Sequence, residues 1–244
     1  MTNLRLPNLK NLLLCSKQNG FVETNIWKSI PCNAPLTRIQ LLNILAMGPV
    51  FDLLIDKLPP QLDSFRLAFS KESNIDWDFI RLFRKYANVA ATTPATKKSQ
   101  RRPPCFLLKT LALQDCQSVT DQVLSTAGDI STLTTVMLHG PFPALTSNGI
   151  KQLVKKLFNV EMLAIGNLDV VTDGTLIGSF DNYPTPYLQT LKLQSLRNVT
   201  DYGVIIAVDS LASSLKRLKL IQCRSITQTA FEYAKRRCAV YDKE

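Results

Sequence analysis

Residues 188–204 read LQTLKLQSLRNVTDYGV. Apolar side chains stand at Leu188, Leu191 and Leu193, and Val199-Thr200-Asp201 follows shortly after. The same frame, apolar-x-x-apolar-x-apolar, occurs eight times, beginning at Leu9, Leu36, Leu62, Leu108, Leu133, Val160, Leu188 and Leu215. Successive frames start 25 to 28 residues apart, with one longer interval of 46 between Leu62 and Leu108. A fixed period of this size marks a repeat architecture in which each unit buries its apolar side against the next. Each frame is expected to be a short strand pointing its apolar side chains into a shared core.

A second segment in each unit carries apolar residues at helical spacing. Examples are Phe51, Leu54, Ile55 and Leu58; Ile150, Leu153, Val154 and Leu157; and Phe231 with Ala234. Between strand and helix stands a threonine locked to the same period: Thr120, Thr146, Thr172, Thr200 and Thr227. A threonine there caps the free N–H groups that open a helix, a contribution of about 1 kcal/mol. Strand, turn, capped helix and return, repeated eight times, predict a right-handed α/β solenoid. Its curved parallel sheet lines the concave face. The whole chain, 1–244, is expected to form one such domain, with the basic insertion interrupting it.

The stretches LKTLALQDCQSVTD (108–121), VEMLAIGNLDVVTDGTL (160–176), LQTLKLQSLRNVTDYGV (188–204) and LKRLKLIQCRSIT (215–227) resemble cysteine-containing leucine-rich repeats. Cys116 and Cys223 hold the cysteine position, and Leu168 and Leu196 replace it in the units between. Thr146 and Thr227 keep the motif's threonine but are followed by Ser147 and Gln228 instead of aspartate. The resemblance covers roughly residues 105–238. It implies the repeats of F-box proteins and related ubiquitin-ligase substrate adaptors, and hence a protein-interaction role. No F-box itself is recognisable: Lys57–Leu62 is superficially like its opening, but Leu62, Phe65 and Leu67 are in register with the repeat.

The long interval hosts an insertion at about 88–104, rich in alanine, threonine, proline and basic residues. A mobile loop leaving the solenoid is expected there. Its Lys97, Lys98, Arg101 and Arg102 are candidates for phosphate binding or for a nuclear-import signal. At the N-terminus, no amphipathic helix precedes the first strand to act as a lid. The expectation is that another subunit, or a segment missing from the chain, covers this end. The charged stretch 236–244 is expected to make a modest cap at the other end.

Composition narrows the chemistry. Lysine and arginine total 29 against 19 acidic residues, a net charge of +10, which favours acidic partners. Only one histidine, His139, is present, so a histidine metal cluster is excluded. It sits just past the fifth frame, as a turn or solvent-facing residue. The six cysteines form no C-x-x-C pair, and no secretory signal precedes them. Reduced thiols in the cytoplasm or nucleus are therefore expected. The run of basic residues without an acid before Glu23 is similar to a mitochondrial presequence, but Leu9, Leu12 and Leu14 belong to the repeat. No 18-residue apolar span occurs. Phosphate-loop, nucleophile-elbow and zincin motifs are missing, and no cofactor or enzymatic activity is expected.

Leucines supply the core, which leaves the intervening strand positions free to bind a partner. Reading them across the frames collects Arg38, Arg66, Lys192, Arg217 and Lys219 with no acid, and Lys216 adds to the basic C-terminal part. The middle, Ala112 to Ala164, is small or apolar. Two uses follow: recognition of an acidic protein segment within a larger assembly, or association with nucleic acid in DNA repair or a ribonucleoprotein, through this face and the basic loop.

Overall fold

The computed structural model describes residues 9–15, 35–43, 51–52, 55, 61–68, 75–91, 107–181 and 185–243. Among the described residues, nine parallel strands run in chain order through one open sheet. They are β1 (Asn11–Cys15), β2 (Arg38–Leu42), β3 (Ser64–Ala68), β4 (Thr110–Gln114), β5 (Thr135–His139), β6 (Met162–Gly166), β7 (Thr190–Gln194), β8 (Arg217–Ile221) and β9 (Ala239–Lys243). Among the described residues, six helices of eight residues or more lie between them: α1 (Asp76–Ala91), α2 (Asp121–Gly128), α3 (Ser147–Lys156), α4 (Asp173–Phe180), α5 (Asp201–Ser210) and α6 (Gln228–Lys235). All strands pair in one register, so Leu111, Val136, Leu163, Leu191 and Leu218 form a single buried row. Strands about 4.8 Å apart back onto helices about 10 Å wide, so the sheet must curve with the helices outside.

Every frame contributes a strand that starts at its third position. The second and fourth strand residues are buried from β2 to β8, and the frame's first residue is buried just ahead of the strand from Leu36 to Leu215. The frames at Leu36 and Leu62 are neighbouring parallel strands. β9 lies beyond the eight frames, where only a charged cap is expected; it pairs with β8 through backbone groups. α1 continues to Ala91, four residues into the span expected to be insertion. Lys97, Lys98, Arg101 and Arg102 lie outside the described residues. Among the described residues, no helix is long and apolar enough to cross a membrane.

The residue after most strands turns the chain sharply. Asn43, Asp115, Asn167, Ser195 and Gln222 take positive φ between 48° and 54°. For Ser195 and Gln222 such a conformation costs about 1–2 kcal/mol against the ordinary right-handed region. Backbone hydrogen bonding offsets part of that cost: the Ser195 amide donates to Ile221 O at 2.8 Å, and the Asp115 amide to His139 O at 2.8 Å.

All five threonines are helix N-caps. The aspartate that follows three of them reaches into the next unit. Asp121 accepts the amide of Thr146 at 2.8 Å and its hydroxyl at 2.6 Å. Asp173 accepts the same two groups of Thr200, at 2.7 and 2.6 Å, and Asp201 those of Thr227. Each carboxylate thus sits at the positive end of its own helix and holds the cap of its neighbour. Ser147 has no carboxylate to offer, and the Thr172 amide is met instead by Thr175 Oγ1 at 3.2 Å, in a capping box within its own unit. Thr175 is 1% exposed and also donates to Val170 O at 3.0 Å. Thr175→Val should therefore lower stability by about 1–2 kcal/mol in urea denaturation, since it leaves two polar groups unpaired. Thr229→Val, one position earlier in the first turn of α6, serves as the control and should change little.

Candidate functional site

Alternation puts the first, third and fifth residues of each strand on the sheet's helix-free face. The middle row runs Leu13, Gln40, Arg66, Ala112, Met137, Ala164, Lys192, Lys219 and Tyr241. Arg38 and Arg217 stand in the first row, at the starts of β2 and β8. The five cations expected from the frames therefore share one face, and none of them ion-pairs with an acid among the described residues. They fall into two groups, Arg38 and Arg66 on β2–β3 and Lys192, Arg217 and Lys219 on β7–β8, separated by three strands without charge. Lys216 stands apart: it precedes β8 and its Nζ donates to Gln189 Oε1 at 3.2 Å, at the strand-entrance edge of the sheet.

Several of these side chains are held by neighbours. Arg66 Nη2 donates to Gln114 Oε1 at 3.3 Å, so the guanidinium leans from β3 over β4. Gln114 Nε2 in turn donates to Asp115 Oδ2 at 3.3 Å. Arg217 Nε donates to Thr190 Oγ1 at 3.1 Å, and Lys219 Nζ lies 5.9 Å from the centre of the Tyr241 ring. The last contact is a long but serviceable cation–π geometry.

Between the two cationic groups lies a cleft of about 310 Å³. Ala112, Met137 and Ala164 form its floor, Arg66 and Lys192 its ends, and Gln114, His139 and Gln194 one side. That side is the strands' fifth row, one step beyond the leucine frame. His139 belongs to it as the last residue of β5 and is neither a turn residue nor fully exposed. Its ring lies across Gly166: a Cβ on Gly166 would come within 2.7 Å of His139 Cδ2. His139 Nδ1 is buried without a hydrogen-bond partner.

Cys116 is fully buried with its thiol toward the carbonyls of Gln114 and Leu67, at 3.1 and 3.8 Å. Cys223 approaches Leu193 O and Ile221 O at 3.6 Å each. Burial pushes the Cys238 thiol above its ordinary value, which disfavours the reactive thiolate. Among the described residues, no three His, Cys, Asp or Glu side chains are grouped to hold a metal ion.

No protein-family model matches the sequence, and neither does any curated protein. Among solved structures the chain is similar to one from the yeast Rad7 and Elc1 complex, with a TM-score of 0.43 and 16% identity over 93% of this chain and 67% of that one. It is also similar to internalin C2 of Listeria monocytogenes, with a TM-score of 0.47 and 18% identity over 86% of this chain and 73% of that one. The in-register parallel strands, the leucine frame and the capped helices between them make the chain an α/β leucine-rich repeat solenoid.

Proposed function

We propose that this chain is a non-enzymatic protein-recognition module whose concave sheet binds an extended acidic segment of a partner in a larger assembly. The observation that carries this reading is that the five frame cations, Arg38, Arg66, Lys192, Arg217 and Lys219, share one sheet face without an acid in its described rows. Such a face attracts carboxylates and repels basic competitors. A substrate-adaptor role in ubiquitination is the specific form that the repeat resemblance suggests. The cleft's uncharged floor favours protein over nucleic acid. A single strand of nucleic acid calls for a continuous cationic track with aromatic platforms. Here three neighbouring strands carry no cation, and Tyr241 and His139 are the aromatic rings among the described concave positions of the strands, four strands apart.

The test is charge reversal. A fluorescein-labelled glutamate-rich peptide should bind the full chain, and Arg217→Glu with Lys219→Glu should weaken it at least tenfold. Arg217 is exposed and Lys219 half-buried, and surface substitutions usually change stability by under about 0.5 kcal/mol, so unchanged melting would assign the loss to binding. Reversing Lys151 and Lys155 on α3 should have a much smaller effect. Tighter binding of a random-sequence single-stranded oligonucleotide than of the peptide, with a steep salt response, would instead favour nucleic acid.

A further inference from the structure

The cleft has a length, and that length implies a spacing in its ligand. Arg66 belongs to β3, but its hydrogen bond to Gln114 Oε1 carries the guanidinium over β4. Lys192 closes the other end from β7. From β4 to β7 is three strand spacings, about 14 Å at about 4.8 Å each. An extended chain crossing the sheet advances about 3.4 Å per residue, so residues four apart are also separated by about 14 Å. Period-two alternation turns residues i, i+2 and i+4 of that chain toward the same side.

We propose, building on the acidic-segment reading, that the cleft recognises acid–x–apolar–x–acid in an extended partner. One carboxylate meets Arg66 and the other meets Lys192. The middle side chain settles on the Ala112–Met137–Ala164 floor, against the His139 ring. Two features of the cleft fit this occupant. Alanines on either side of Met137 leave room for a branched apolar side chain. Gly166 lets the histidine ring lie down along the sheet, because any Cβ there would force the ring away, toward the cleft. A spacing of three turns one carboxylate away from the sheet, and adjacent acids reach only one end.

The experiment uses the full chain and three fluorescein-labelled peptides of equal net charge, compared by anisotropy at fixed salt. The first has glutamates four residues apart with leucine midway, the second has glutamates three apart, and the third replaces the leucine by serine. The first should bind at least tenfold tighter than either of the others. Arg66→Gln and Lys192→Gln should each remove the preference for spacing four, whereas Lys151→Gln on α3 should leave it intact. Gly166→Ala should remove the preference for leucine over serine while melting as the parent does; if it unfolds, Met137→Ser provides the same test. Equal binding of the first two peptides, still weakened by reversing Arg217 and Lys219, would overturn the spacing and leave the acidic-segment reading standing. Failure of every acidic peptide to bind would overturn both.

Discussion

Phe79→Ala should cost about 3–5 kcal/mol of stability, the ordinary range for deleting a fully buried aromatic ring. Phe79 is 0% exposed on α1 and packs edge-on to Phe51, with ring centres 4.9 Å apart, and against Phe83 at 5.8 Å. Phe51 belongs to the preceding unit, so the lost ring is part of what fastens the second unit to the third. The cavity has little room to close by local relaxation, since the rings that would line it, Phe51 and Phe83, are themselves fully buried. In a solenoid, stability is roughly a sum of unit terms and nearest-neighbour interfaces. Urea denaturation should therefore show the first units melting ahead of the rest, as a separate early transition. Trp77→Ala on the same helix is the control. Trp77 is 56% exposed, with Arg84 5.5 Å from its ring, and its loss should cost under about 1 kcal/mol. Comparable losses for the two would show that α1 does not dock as described.

The second large effect should come from Gly149→Val, at about 1–3 kcal/mol, a typical range for overpacking. Intrinsic preference argues the other way, because glycine inside a helix is usually a liability. Here a Cβ at position 149 would lie 2.2 Å from Asp121 Oδ1 and 2.9 Å from Leu145 Cδ1. The carboxylate would have to move, and with it the two bonds that hold the amide and hydroxyl of Thr146. Ala230 occupies the corresponding place in α6 while Asp201 still bonds Thr227, so a single methyl is tolerable and a branched side chain is the decisive test. In an Asp121→Ala background the same valine has nothing charged to displace, and its cost should fall by at least about 1 kcal/mol. Strict additivity of the two substitutions would mean that the aspartate and the glycine do not share one packed site.

The sequence alone determined a great deal of this protein. The leucine frame located all eight strands it marks, their order and their buried positions, because strand alternation and a constant period are local properties. The threonine caps were legible for the same reason, as each one bonds within its own helix start. The concave cations were legible as residues, since parity along the strand assigns their face.

Tertiary structure decided what those residues touch. The period shows that Asp121 and Thr146 lie one repeat apart, but only the packed units bring the carboxylate onto the next cap and crowd the space beside Gly149 against a branched side chain. β9 escaped the frame because an edge strand needs backbone partners from β8 and no leucine pattern of its own. The row of Gln114, His139, Gly166 and Gln194 lies one alternation past the frame, and the lean of Arg66 onto Gln114 joins positions 48 residues apart. Local pattern thus laid out the solenoid and its inner face. Contacts between units, which depend on how side chains meet after stacking, shaped the cleft on it.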